Sequence, residues 1–244
     1  MTIASDAPLS DIDVVILAGG LGTRLRGVLG DELPKVLAPV GNQPFLDHMI
    51  AWLHGYGARR LILCLGYKAN KVQEHLAQIE PSPMSHIQTV VEPEPLGTGG
   101  ALRFAAPHFC SDPVLVVNGD SWTDTDLAAF VARHHAQKAY LSILCADVPD
   151  ASRYGRLEIA EDGTVLQFRE KEEHPRPGCI NAGVYLLSRQ AVADLVGSQA
   201  VSFEKDFLQR IAPGRIFTHS TPGARFIDIG TPDSLSQAPE VIVQ

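Results

Sequence analysis

The stretch LAGGLGTRLRGVLGDELPKV, residues 17–36, follows the apolar run DVVIL and places three glycines within four positions, two arginines just beyond them, and a lysine directly after a proline. A strand that runs into such a loop has several readings. Glycine can simply allow a tight turn with positive φ. A Walker A loop is excluded, because GxxxxGK[ST] begun at Gly22 demands Lys-Ser/Thr after Gly27, where the chain has Val28-Leu29. A dinucleotide fingerprint also fails: Leu25 stands where GxGxxG needs its last glycine, and no strand ends in an acidic residue about 20 positions later. What remains beside the plain turn is a cradle in which backbone N–H groups approach oxyanions while Arg24 and Lys35 supply charge.

Outward from this loop, apolar runs of strand length alternate with helix-like segments up to residue 150. The pattern predicts strands at 13–19, 60–66, 86–92, 113–120 and 140–148. It predicts helices at 44–57, 69–79, 97–109 and 124–137, the last capped by Thr123 or Asp124. Continuous apolar strands between helices imply an α/β fold, a Rossmann-like and mostly parallel sheet with helices on both faces. Beyond residue 150 the rhythm becomes mixed: a hairpin about Asp162-Gly163, a strand at 179–188, helices near 189–196 and 203–212, and short strands RIFTHS and ARFIDIG. In such sheets ligands sit outside the carboxyl ends of the strands, and four of those ends read AGGLGTR, LGYK, VEPEPLGTGG and NGD.

A net charge of −8 argues against a general nucleic-acid surface, so phosphate binding would rest on a few placed cations. VVILA and LILCL are far shorter than the roughly 20 residues that span a bilayer, which implies no membrane partner. Residues 1–12 carry no positive-then-apolar signal and are expected to be a loose leader. Cys64, Cys110, Cys145 and Cys179 are widely spaced, as reduced thiols in a cytoplasmic protein would be. With 45% hydrophobic residues and no linker or repeat, residues 13–244 read as one domain.

The opening loop does not stand alone. EPLGTGGA (94–101), NGD (118–120), YG (154–155), FREK (168–171), NAGVY (181–185) and FIDIGTP (226–232) follow it in order. Together they resemble the sugar-1-phosphate nucleotidyltransferases, also called nucleoside-diphosphate-sugar pyrophosphorylases. PKVLAPVGNQPFLDHMI, CINAGVYLL and SFEKDFL are most similar to the D-glycero-D-manno-heptose 1-phosphate guanylyltransferases. Mannose-1-phosphate guanylyltransferases, glucose-1-phosphate thymidylyltransferases and N-acetylmuramate-1-phosphate uridylyltransferases are the neighbouring alternatives, the last through NGDSWTD, which leaves Trp122 to brace either the metal loop or the sugar. The chain ends soon after FIDIGTP, so no C-terminal β-helix domain is expected.

The resemblance implies attack of a sugar 1-phosphate oxygen on the α-phosphorus of a nucleoside triphosphate, expelling pyrophosphate, with no protein nucleophile. It divides the domain into a nucleotide-binding half, 13–150, and a sugar-phosphate-binding half, 151–244. Asp120 and Asp228 are expected to hold Mg²⁺, with Arg24, Lys35 and Asp120 carrying catalysis. The nucleotide is expected on Leu17, Ala18, Gly19, Gly20, Gly22, Thr23, Arg24, Glu92, Pro95, Gly97 and Thr98. The sugar phosphate falls to Asn118, Tyr154, Gly155, Glu170, Lys171, Asn181, Ala182 and Glu204. Glu92 favours GTP, since a carboxylate only accepts and guanine offers adjacent N1–H and N2–H₂ donors. The implied partners are therefore an NTP, GTP favoured, and a sugar 1-phosphate, with a homo-oligomer allowed and no nucleic acid or membrane. A catalytically silent regulatory subunit on this fold would be expected to lose Arg24, Lys35, Asp120 or Asp228, and all four are present. An NAD-linked oxidoreductase lacks its fingerprint.

Overall fold

The computed structural model describes residues 7–79, 86–169 and 174–243. In chain order the strands are β1 (Asp13–Leu17), β2 (Pro39–Val40), β3 (Gln43–Pro44), β4 (Arg60–Leu65), β5 (His86–Val91), β6 (Val114–Asn118), β7 (Ser121–Thr123) and β8 (Leu141–Val148). They continue as β9 (Arg156–Ile159), β10 (Val165–Arg169), β11 (Gly178–Leu187), β12 (Ile216–His219) and β13 (Phe226–Asp228). The helices are α1 (Arg26–Leu29), α2 (Phe45–Gly55), α3 (Ala69–Leu76), α4 (Gly97–Ala105), α5 (Leu127–Gln137), α6 (Arg189–Gly197) and α7 (Pro232–Ile242).

β1 lies between β4 and β6, parallel to both, and β4 continues in parallel to β5. Its residues alternate between two cores: Val14 and Ile16 pack on one face with Leu46, Met49 and Phe130, and Val15 packs on the other with Leu102, Val116 and Tyr185. Burial on both faces is why these strands read as unbroken apolar runs. β11 enters antiparallel between β6 and β8, and β12 extends β8 in parallel. Because β11 runs against β6, its first residues lie at the edge where the parallel strands end. Val184 is opposite Val117, so Asn181 and Ala182 reach past the carboxyl end of β6.

The mostly parallel sheet agrees with the expectation, and the described residues form no β-helix. No helix among them is long and apolar enough to cross a membrane. Several local readings differ. α5 is capped by Asp126, which accepts from the N–H groups of Ala128 and Ala129, because Thr123 belongs to β7 and Asp124 pairs with Arg225 at 2.7 Å. Residues 203–212 do not form an α-helix; Phe203–Phe207 is a π-helical turn and Leu208–Arg210 a 3₁₀ turn. The helix read over 97–109 stops at Ala105 and gives way to a 3₁₀ turn. β13 falls within the strand read at ARFIDIG, but β7, its pairing with β13 into a ribbon, and helix α7 were not expected. α7 carried a signal in TPDS: Thr231 caps it reciprocally with Ser234, and Pro232 stands at its first turn.

Candidate active site

A cleft of about 380 Å³ opens at the carboxyl ends of β1, β5 and β6. Its walls come from the glycine loop, Lys35, Glu92, the start of α4 and the turn at Ser202–Glu204. The three loop glycines have separate reasons. Gly22 sits at φ +56°, in the left-handed region, and turns the chain into the 3₁₀ turn Thr23–Leu25. A Cβ on Gly19 would stand 3.0 Å from Glu92 Oε1, so that glycine makes room for a carboxylate. Nothing protein-borne crowds Gly20, which faces the cleft with open space around it. The backbone beneath is already engaged: Gly119 N–H donates to the Leu17 carbonyl, Ala18 N–H to the Cys64 carbonyl, and Tyr67 N–H to the Gly19 carbonyl.

Lys35 follows Pro34 on a 3₁₀ turn and donates from Nζ to Asp120 Oδ2 at 2.7 Å. Ser121 donates to the other oxygen of Asp120. Asp228 arrives from far along the sequence because β13 pairs antiparallel with β7, placing Asp228 opposite Ser121 and Ile227 opposite Trp122. Trp122 is buried in this ribbon with Arg225 over its ring at 5.6 Å, so it braces the carboxylate-bearing turn. Burial pushes the Asp228 carboxyl above its usual range, the charge of Asp120 pushes it further, and Lys35 opposes both. Two carboxylates that repel across a partly open site, attended by one lysine, suit a hard divalent cation. No group of three or more His, Cys, Asp or Glu that could hold a metal occurs among the described residues. A cation here would complete its shell with water and phosphate oxygens, as magnesium does.

Glu92 follows β5, its Oε1 lies toward Gly19 after β1, and its Oε2 accepts from the N–H of Leu96, just before α4, at 3.2 Å. Burial raises its carboxyl above the usual range and the Leu96 bond works against that rise. Two glycines of the segment after it have no room for a side chain. A Cβ on Gly97 would lie 2.5 Å from the Val201 carbonyl, and one on Gly99 2.7 Å from the Ala200 carbonyl. Gly99 N–H donates to the Val201 carbonyl and Thr98 Oγ1 accepts from Phe203 N–H, which ties the start of α4 to the turn carrying Glu204.

Of the residues expected in the site, Leu17, Ala18, Gly19, Gly20, Lys35, Glu92, Pro95, Gly97, Thr98, Asn118, Asp120 and Glu204 line this cleft. Asp228 lies at its rim, beside Gly230, where an added Cβ would come 3.3 Å from Lys35 Nζ. Thr23 and Arg24 stand exposed on their 3₁₀ turn and are not among the lining residues. Tyr154 packs edge-on against Phe226 with Arg153 over its ring, and Gly155 abuts the Arg169 carbonyl. Asn181 bonds Tyr185 and sits near Glu204. Glu170 and Lys171 lie outside the described residues. Leu21, Val36, Ala101, Gly119, Ser202 and Phe203 line the cleft without having been singled out; all but Ala101 and Ser202 directly adjoin a residue that was.

A cleft at the strand ends, with a lysine on one carboxylate and a second carboxylate alongside, is suited to an anionic ligand and a cation, and the chain belongs to the nucleotidyl transferase family, whose model matches residues 13–244. It is a nucleotidyl-transferring enzyme. Among relatives, the D-glycero-alpha-D-manno-heptose 1-phosphate guanylyltransferase of Aneurinibacillus thermoaerophilus is 36% identical over 93% of this chain and 96% of its own length. The protein of the same name from Campylobacter jejuni is 32% identical over 91% and 96%. The mannose-1-phosphate guanylyltransferase of Mycobacterium tuberculosis is 31% identical over 91% of this chain and 62% of its own. The crystal structure of HddC from Yersinia pseudotuberculosis complexed with GMP-PN superposes with a TM-score of 0.83 at 37% identity, covering 94% of this chain and 98% of that one.

Proposed function

We propose that this enzyme transfers a guanylyl group from GTP to a sugar 1-phosphate, D-glycero-D-manno-heptose 1-phosphate first among acceptors, giving the GDP-sugar and pyrophosphate. The observation that carries the reading is the Lys35–Asp120 pair with Asp228 alongside, facing a cleft whose far wall holds Glu92. The heptose guanylyltransferase names of two relatives support the acceptor, and mannose 1-phosphate is the second candidate on the strength of the mycobacterial relative.

In this reading an oxygen of the sugar 1-phosphate attacks the α-phosphorus in line, the new P–O bond forms, and the bond to pyrophosphate breaks. Mg²⁺ held by Asp120 and Asp228 would neutralise triphosphate charge. Lys35 sits where a phosphoryl oxygen gains charge, and Arg24 on its exposed turn is free to meet the departing pyrophosphate. The Glu92 carboxylate accepts from guanine N1–H and N2–H₂. Asn118, Asn181, Glu204, Tyr154 and Gly155, with Glu170 and Lys171, serve the sugar phosphate. Residues 13–150 act as the nucleotide half and 151–244 as the sugar half of one domain.

The test is a matrix of four NTPs against heptose, mannose, glucose and N-acetylmuramate 1-phosphates with Mg²⁺, read by pyrophosphate release. Highest kcat/KM for GTP with the heptose ester supports the reading; a pyrimidine nucleotide or another sugar in first place overturns it.

A further inference from the structure

Tyr185 is entirely buried, yet its hydroxyl lies within a polar cluster at the acceptor end of the cleft. It donates to Glu204 Oε1 at 2.9 Å and accepts from Asn181 Nδ2 at 2.8 Å. Asn181 Nδ2 is also 3.4 Å from Glu204 Oε1, and Asn118 adjoins the same hydroxyl. Three separate elements meet there: β6 supplies Asn118, β11 supplies Asn181 and Tyr185, and the π turn supplies Glu204.

The backbone arranges this meeting. The pairing of β11 with β8 shifts register between Asn181 and Val184, and Gly183 turns through φ +75°. A Cβ there would come 2.7 Å from Asn118 Nδ2, and Gly183 N–H holds Asn181 Oδ1 at 2.9 Å. The Asn181 amide is thereby fixed with its nitrogen toward Tyr185. On the other side, the ring of Tyr185 stands edge-on to Phe203, with centroids 5.1 Å apart and planes at 87°, and Phe203 stacks on Phe207. The ring is clamped, so the hydroxyl has one place to go. Burial, and next the charge of Glu204, raise the Tyr185 phenol well above its ordinary range, so it stays protonated and remains a donor.

We propose that Tyr185 is a positioning residue that sets acceptor specificity: its buried hydroxyl locks Glu204 and Asn181 into one polar reader of sugar hydroxyls without itself touching the ligand. The inference rests on the sugar 1-phosphate reading given above. Glu204 lines the cleft and Tyr185 does not, so the tyrosine acts through the carboxylate. A carboxylate left to rotate would accept from several sugar hydroxyls indifferently; one fixed by a donor presents its remaining lone pairs in a single direction.

The test is Tyr185→Phe, which keeps the clamped ring, together with Glu204→Gln and the double variant. Losing a hydrogen bond to a charged group predicts a rise on the order of tenfold in KM for the preferred sugar 1-phosphate. KM for GTP should stay within about twofold, and the kcat/KM preference among sugar 1-phosphates that differ at one hydroxyl should narrow. The double variant should be no worse than the poorer single one, since both act through one unit. A Tyr185→Phe enzyme with unchanged acceptor KM and preference, with GTP KM raised equally, or with losses that multiply in the double variant overturns the inference. Wild-type enzyme that turns over no sugar 1-phosphate overturns the functional reading itself, and this inference with it; an active wild type separates the two outcomes.

Discussion

At the scale of single residues, Lys35 and Asp228 act in opposite senses on the same carboxylate, Asp120. Lys35 holds it by a 2.7 Å bond, while Asp228 is itself forced upward in pKa by burial and by the Asp120 charge. A carboxyl whose folded pKa lies above its unfolded value loses stability as it ionises at neutral pH. Asp228→Asn should therefore melt at or above the wild-type temperature while pyrophosphate release falls by about a hundredfold or more. Calorimetry and a pyrophosphate assay read the two halves; a variant with near wild-type turnover removes Asp228 from the metal site. Glu92 gives a second residue-scale prediction. Glu92→Gln leaves one acceptor oxygen to be shared between Leu96 N–H and guanine and replaces the other with an NH₂ donor, so the kcat/KM ratio of GTP over UTP should fall roughly tenfold. An unchanged ratio rejects the guanine contact. The spacing of the loop made Lys35 and Arg24 legible as a pair of cations, but not that one is pinned on a carboxylate and the other stands in solvent.

At the scale of elements, strands with both faces buried were easy to read, since β1, β4 and β6 carry little but aliphatic residues. The segment at 203–212 was not. Phe203 and Phe207 have helical spacing, yet the Asp206 carboxylate accepts from Val201 and Ser202 N–H and winds the turn one residue wider. Side chains bonding their own backbone compete with the helix, and periodicity alone does not register that competition. The glycines of EPLGTGG are a related case: two of them answer to carbonyls more than a hundred positions away, at Ala200 and Val201. Helix α5 supplies the prediction at this scale. His134 is buried on it, bonded to Ser142 on β8, and burial pulls its pKa down to about 4. The folded chain refuses a proton that the unfolded chain accepts near pH 6.5, so stability is full above that pH and falls as pH drops toward 4. His134 should cost about 2 kcal/mol between pH 7 and pH 5. Urea unfolding of His134→Gln against wild type at both pH values should show that much less pH dependence in the variant; parallel behaviour would mean the imidazole is not held neutral.

At the scale of the whole molecule, one sheet joins both parts of the chain, since β11 of the later part lies between β6 and β8 of the earlier. Ligands at the carboxyl edge therefore brace strands from the entire sequence. GTP with Mg²⁺ at about one hundred times its Kd adds about 2.7 kcal/mol to the folded state, and the melting temperature of a chain this size should rise roughly 5 to 10 °C. Asp120→Asn should lose most of the Mg²⁺-dependent part of that rise, and UTP at equal concentration should give less; equal shifts for both nucleotides count against a guanine site. The sequence by itself determined the sheet's parallel half and the order of its motifs, because burial period, turn residues and motif spacing are local properties of a chain, and the resemblance those motifs carry implied the chemistry. Only the tertiary structure decided how Asp228, paired with Asp120 by resemblance, is brought to it through the β7–β13 ribbon, that Thr98 anchors the turn bearing Glu204, and that a buried tyrosine links Asn181 to that carboxylate. Each of those is a pairing across long stretches of chain, fixed by which surfaces pack together and by which buried polar groups must find partners, and no local pattern encodes it.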